Sequence, residues 1–328
     1  MTGKKLTMEK KLKFIDLFAG VGGFHFAFKD KAECVFASEW DSNARITYLA
    51  NHGEDLEKNN AEFAGDITSV DYNTIPDHDI LCAGFPCQPF SVAGAQKGFK
   101  HATQGTLFYN ILEIIEAKNP SVVFLENVKN LRSHDKGNTY NIIINALSQK
   151  GYYTKDIILN GTTHGNTPQN RERIFIVGFK DEEMFNKFNF PEATPLTHTI
   201  QDCLQHGKVE DRFYQTNMES PSVQKMHLGI NKKWTIYQYR RYYVRENKKN
   251  VCPTLTANMG TGGHNVPLLM DDYGIRKLTP RECFNFQGYP ESFVLPPKLK
   301  PSALYKQAGN SVILPLVEKI AGKIVDVM

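Results

Sequence analysis

The chain has 328 residues, of which 41% are apolar and 23% charged, with 39 Lys and Arg against 35 Asp and Glu for a formal net charge of +4. That composition excludes a disordered chain, and no apolar run approaches the roughly 18 to 20 residues of a membrane span. The small positive balance is compatible with a nucleic-acid partner without arguing for one, so the distribution of charge must decide. Six cysteines without a C-x-x-C pair indicate neither a disulfide framework nor a zinc knuckle, and no metal is expected. The basic start "MTGKKLTMEKKLK" has no apolar segment behind it, so a cytoplasmic protein with no membrane partner is expected.

In chain order, short β-rich runs alternate with helical stretches. "KFIDLFAG" (13–20), "CVFASEW" (34–40), "DILCAGF" (79–85) and "SVVFLEN" (121–127) read as strands, with amphipathic segments at 105–118 and 137–149. "KDIILNG" and "RIFIVGF" add two more by about 180. This alternation predicts an α/β fold, a doubly wound, mostly parallel sheet covered on both faces. Beyond Phe190 prolines and isolated histidines mark a second, smaller domain, and "AGNSVILPLVEKIAGKIVDVM" carries Val312, Leu316, Ile320 and Ile324 at helical spacing, a helix returning to a core. The expected division is 1–185, 186–275, a hinge at 276–300, and 301–328.

After the first strand come Gly20, Gly22 and Gly23, with Glu39 about twenty residues on at the tip of the second. A glycine turn lets a ligand approach the backbone, and a carboxylate there accepts from both hydroxyls of a ribose. Position 25 is His25 where a dinucleotide fingerprint has its third glycine, which favours a nucleoside cofactor without a pyrophosphate. Trp40 offers an aromatic face, and Asp66 in "GDI" a buried carboxylate for an adenine amino group. The ordinary alternative is a tight turn of any α/β protein.

In "GFPCQPFS", Pro86 fixes the backbone at the end of the fourth strand and Cys87 follows on the sheet's carboxyl edge. A loop cysteine is usually inert. This one stands at the root of a glycine-bearing segment, "SVAGAQKGFKHATQG", that reads as a lid, which makes it a candidate nucleophile. Glu126 in "ENV" closes the next strand on the same edge; it either solvates the strand end or, desolvated, serves as an acid. Arg171 and Arg173 in "QNRERIF" stand two apart at a strand entry, as a surface basic pair or as a fork on a substrate oxygen.

Residues 232–249 concentrate the missing charge: Lys232, Lys233, Arg240, Arg241, Arg245, Lys248 and Lys249 against Glu246 alone, interleaved with Trp234 and four tyrosines. The alternation in "YQYRRYYVRE" reads as a strand with one face able to meet DNA, Arg240 and Arg241 leaving on opposite sides. A solvated basic surface is the alternative.

Taken in order, "DLFAGVGGF", "EWD", "GDI", "GFPCQPFS", "GTLFYNI", "ENVKN", "QNRERIF", "RKLTPREC" and "GNSV" resemble the DNA (cytosine-5) methyltransferases of bacterial restriction-modification systems. The likeness covers nearly the whole chain apart from about 185–275. It implies a Rossmann-like S-adenosylmethionine-dependent fold, with S-adenosylhomocysteine as product, and a smaller DNA-recognition domain in the second half. It implies that Cys87 adds to C6 of a cytosine flipped out of double-stranded DNA, that Glu126 holds and protonates N3, and that Arg173 and Arg171 hold O2 and the nearby backbone. Phe18, Gly20, Gly22 and Gly23 would line the cofactor, with Glu39 on the ribose, Trp40 and Ile67 on the adenine faces and Asp66 on its amino group. Pro86, Leu107, Asn310 and Ser311 would complete that pocket.

Gln88, Ser91, Lys97, Arg240, Arg241 and Thr254 would contact DNA. A monomer is expected, with a cognate restriction endonuclease as a functional rather than physical partner. "CPTLTANMGTGGHNVP" is similar to segments that read GC-rich palindromes, GGNCC-like first and CCGG second. Two departures stand out: Gln104 precedes Gly105 where the family often has Arg, and Asn285 follows "REC" where another arginine is frequent. An RNA-directed relative that methylates tRNA, a nicotinamide oxidoreductase and a non-catalytic DNA-binding module are the competing readings. The last two leave Cys87 and Glu126 without a use.

Overall fold

The computed structural model describes residues 11–86, 107–240, 242–260 and 266–328. Seven strands form the main sheet: β1 (Leu12–Leu17), β2 (Ala32–Ser38), β3 (Glu62–Ala64), β4 (Ile80–Ala83), β5 (Val122–Val128), β6 (Tyr153–Asn160) and β8 (Glu172–Phe179), ordered β3-β2-β1-β4-β5-β8-β6. The first five run parallel, while β8 runs antiparallel to both β5 and β6. The short connection from β6 to β8 has no room for a crossover helix, which forces that reversal.

The strands are apolar on both sides because both sides are covered. One face packs α1 (Gly23–Phe28) and the C-terminal helix Leu314–Val325, where Leu316, Ile320 and Ile324 meet Phe14, Phe28 and Phe124. The other receives the helices Leu107–Lys118 and Asn138–Gln149 through Ile111, Ile114, Ile143 and Leu147. The last helix, read from the sequence as returning to a core, shares that core with Phe14 of the first strand.

Beyond the sheet, β9 (Tyr237–Arg240), β10 (Tyr243–Glu246), β12 (Leu268–Met270) and β13 (Ile275–Lys277) form an antiparallel sheet ordered β10-β9-β12-β13. β11 (Cys252–Pro253) instead pairs with β7 (Gln169–Asn170), tying this half to the entry of β8. One apolar cluster gathers Ile200, Leu255, Leu278, Phe284, Tyr305 and Leu314, so the 186–275, 276–300 and 301–328 segments share a core.

Part of that core is ionic. Arg276 donates from Nε to Asp271 at 2.6 Å and forks onto both oxygens of Glu282 at 2.8 Å, with all three side chains at most 1% exposed. Glu282 also closes a capping box with Thr279 on the helix Pro280–Asn285. This gives "RKLTPREC" a structural use. Removing one partner strands a buried charge, so Arg276→Met is expected to lower unfolding free energy by about 3 to 5 kcal/mol, measured by urea denaturation.

A second polar cluster lies behind the glycine loop. His25 on α1 and His52 on α2 (Ser42–Lys58) stack with ring centroids 4.1 Å apart and 19° between planes. Asp55 joins them, every pair of donor atoms lying within 4.8 Å. The near-parallel rings send their in-plane lone pairs side by side rather than onto one ion, and His25 Nδ1 is engaged with the Tyr48 hydroxyl at 2.7 Å.

Burial pushes the His25 pKa down to about 4, and it lowers His52 as well. The folded value lies below the ordinary 6.5, so the unfolded chain binds the proton first. This contribution is intact above pH 6.5 and is lost as pH falls toward 4. His25→Gln is expected to shed less stability than wild type across that window, by up to about 3 kcal/mol, in denaturation curves at several pH values.

Candidate active site

A cleft of about 1080 Å³ opens at the carboxyl ends of the parallel strands, where open α/β sheets bind ligands. Its upper half is built on the glycine turn. Gly20 N–H and Asp41 N–H each donate at 2.8 Å to a different oxygen of Glu39. The carboxylate is thereby fixed with lone pairs left on both oxygens. Burial raises its pKa, and those two donors pull the other way. Asp41 also caps α2 and takes a bond from Lys306 Nζ at 2.5 Å, which spans the mouth of the cleft.

Phe18, Gly20, Gly23, Trp40, Ile67, Pro86, Leu107, Asn310 and Ser311 all line this space. Trp40 is 80% exposed and Ile67 only 3%, giving an uncovered aromatic face and a buried apolar wall. Two residues differ from expectation. Asp66 borders the cleft but is exposed rather than buried, and its Oδ1 is occupied by the Thr68 amide at 3.0 Å and hydroxyl at 2.8 Å. Gly22 is not on the wall: at φ 86° it starts α1, and a Cβ there would lie 2.3 Å from His52 Nε2. Its missing side chain makes room for the histidine.

Deeper in, Glu126 meets Arg173, with Oε1 3.0 Å from Nε. Burial raises the Glu126 pKa against the pull of Arg173 and Arg171. The chain that leads to Cys87 passes directly beside it, since a Cβ on Gly84 would sit 3.6 Å from Glu126 Oε2. Asn127, which the sequence reading quoted in "ENV" without a role, donates to the Phe85 carbonyl at 2.8 Å and so ties the end of β5 to the segment before Pro86. Its 4% exposure is the signal that was missing.

Arg171 departs from the picture of a fork on substrate. It is 1% exposed and donates to the carbonyls of Leu255, Gly309 and Ser311 at 2.7, 2.9 and 2.5 Å, so it holds the "GNS" turn and the 255 loop together at the cleft floor. The close fit continues at Gly309, where a Cβ would lie 2.1 Å from the Thr256 carbonyl carbon.

Of the residues expected to meet DNA, Gln88, Ser91, Lys97 and Arg241 lie outside the described residues, as do Cys87 and the Gln104-Gly105 pair. Thr254 spends its hydroxyl on the Asn170 carbonyl at 2.6 Å. Asn285, at the second departure, donates to the Cys203 carbonyl at 3.1 Å. Arg240 is exposed at the end of β9. Residues 237–240 and 243–246 pair as two antiparallel strands rather than running on as one.

The family model for C-5 cytosine-specific DNA methylases matches residues 12–326. The chain belongs to that family. This methylase is 52% identical over 316 residues to the type II methyltransferase M.Bsp6I of Bacillus sp. (strain RFL6), across 95% of this chain and 98% of that one. It is 41% identical over 325 residues to M.HhaI of Haemophilus parahaemolyticus, across 94% and 93%. It is a DNA (cytosine-5) methyltransferase of the restriction-modification type. The Dnmt2 methyltransferase of S. pombe superposes with a TM-score of 0.73 over 96% of this chain and 99% of that one at 20% identity, a likeness of fold.

The family implies S-adenosylmethionine, and the upper cleft fits it: an anchored carboxylate for two hydroxyls, a free indole face, an apolar wall, and a glycine turn without the third glycine that a pyrophosphate needs. Among the described residues no helix of the methylase is long and apolar enough to cross a membrane.

Proposed function

We propose that this methylase acts on one cytosine of a short GC-rich palindrome in double-stranded DNA, flipping the base into the lower cleft, and that it is the modification partner of a cognate endonuclease. The observation that carries this is the juxtaposition of Glu126 and Arg173 with the segment leading to Cys87, directly below the nucleoside-shaped half of the cleft. When bound, S-adenosylmethionine supplies an electrophilic methyl group; Glu39, Trp40 and Ile67 would hold its nucleoside, with Asp66 at the amino group through its remaining oxygen.

Cytosine C5 is a poor nucleophile, and each residue corrects that. The Cys87 thiolate forms a bond to C6, and the electrons displaced from the C5–C6 bond reach the ring nitrogen N3. Glu126, whose hold on a proton is strengthened by burial against the pull of Arg173 and Arg171, gives N3 a proton as that charge builds. Arg173 orients the Glu126 carboxyl and holds O2, and Arg171 keeps the floor of the site rigid. After methylation the C5 proton passes to water, the electrons of that C–H bond re-form the C5–C6 double bond as the Cys87–C6 bond breaks and the thiolate departs, and N3 returns its proton to Glu126, which restores the aromatic ring. The exposed basic hairpin of 237–246 would lie against the DNA, with 186–275 as recognition domain.

Tritiated methyl transfer to duplex DNA against tRNA tests the substrate, and sequencing of methylated cytosines in DNA from expressing cells tests the site. Incorporation into duplex DNA at one palindrome is expected, with GGNCC and CCGG the first arrangements to compare. Transfer to tRNA alone would overturn the reading.

A further inference from the structure

The solvent face of the β9–β10 hairpin carries a side-chain cluster that the cleft does not use. The two strands pair antiparallel with Gln238 opposite Arg245 and Arg240 opposite Tyr243, so these four share one face. The other face sends Tyr237 and Tyr239 into a core with Leu268 and Ile275. On the outer face one oxygen collects two cations: Gln238 Oε1 accepts from Arg245 Nη2 at 2.6 Å and from Arg240 Nη2 at 3.2 Å.

Two guanidiniums that close repel each other, and a neutral amide relieves that far less than a carboxylate would. The hairpin has a carboxylate, Glu246, but it faces the other way and binds Lys232 at 3.0 Å. Among the described residues neither Arg240 nor Arg245 forms an ion pair, whereas Arg132, Arg173, Arg212 and Arg276 do. Two aligned, exposed cationic forks with no internal anion are suited to acceptors from outside the protein. A phosphate also accepts an arginine fork, so the base-pair ranking and the salt dependence must separate it from a base edge. Guanine offers O6 and N7 to a planar fork in the major groove, and neighbouring bases stack about 3.4 Å apart, comparable to the reach of two forks sharing one oxygen.

We propose that Arg240 and Arg245 read the guanines of two adjacent base pairs in the recognised site, and that Gln238 is the positioning residue that aligns both forks. This rests on the reading of the chain as a site-specific enzyme on duplex DNA. Arg245, on the same face as Arg240, thereby joins it as a reader.

The test compares wild type, Arg240→Ala, Arg245→Ala, Gln238→Leu and Gln238→Glu for methyl transfer to the wild-type site, mapped by sequencing, and to every single-base-pair variant of it, at two salt concentrations. Each arginine variant is expected to lose roughly 10- to 100-fold in discrimination at one base pair, the two pairs being adjacent. Gln238→Leu should lose discrimination at both, and Gln238→Glu, which sets an internal anion between the two forks, should lose it at both as well rather than restore it. Uniform weakening with a shallower salt slope would show phosphate contacts and overturn the assignment. Loss at a third position in Gln238→Leu would make the glutamine a reader itself and overturn its positioning role. An active wild type whose arginine variants keep the ranking overturns this inference alone; a wild type that methylates no duplex overturns the functional reading with it.

Discussion

Cys87→Ala is expected to abolish methyl transfer while leaving the affinities for S-adenosylmethionine and for duplex DNA within about threefold of wild type. The thiolate is needed only after both are bound, because its task is to convert an aromatic ring carbon into a nucleophile by covalent addition, and no cysteine is among the described residues that line the cleft. A duplex bearing 5-fluorocytosine sharpens the test. The addition and methylation steps proceed, but fluorine cannot leave as the proton does, so the adduct persists and survives denaturing electrophoresis. The wild type should give that shifted band and Cys87→Ala none. Appreciable turnover by the alanine variant, or an adduct that persists without Cys87, would remove the covalent step.

The elements that position this chemistry were legible because they depend on local pattern. A continuous apolar run bounded by glycine or a carboxylate marks a buried parallel strand and its tip, and β1, β2, β4 and β5 carry such runs. Glu39 and Glu126 could be placed on one sheet edge from sequence alone, since strand tips of a parallel sheet fall on the same side. The returning helix was equally plain, because Leu316, Ile320 and Ile324 repeat at helical spacing.

What could not be read was whatever depends on which groups meet across long separations. Arg171 looks like Arg173 in sequence; only the fold shows that its guanidinium is consumed by the carbonyls of Leu255, Gly309 and Ser311. Gly22 looks like Gly20 and Gly23, yet it yields its space to His52. The hairpin at 237–246 was hidden because an alternation of tyrosine and arginine is the same whether the chain runs on or turns back. Only the pairing of Gln238 with Arg245 reveals that the cations gather on one face.

Glu126→Gln carries the other large effect. The substitution keeps the shape of the side chain and a donor for N3, but an amide cannot deliver a proton, so single-turnover methyl transfer is expected to fall by about 10²- to 10⁴-fold. The surroundings make the acid role specific. Burial raises the Glu126 pKa, and Arg173 and Arg171 counter it only in part, so the protonated form persists to higher pH than for a solvated glutamate. The sign follows: an acid acts only while it holds its proton, so the wild-type single-turnover rate should decline as pH rises through the Glu126 pKa, and that limb should vanish in Glu126→Gln. Arg173 gives the control, since it meets the carboxylate at 3.0 Å and loses an ionic partner in the same variant. If that loss were the whole effect, cofactor and DNA affinities and the unfolding midpoint would move together with the rate. A slow chemical step with a flattened pH profile and unchanged binding assigns the proton to Glu126; a near-normal single-turnover rate takes it away.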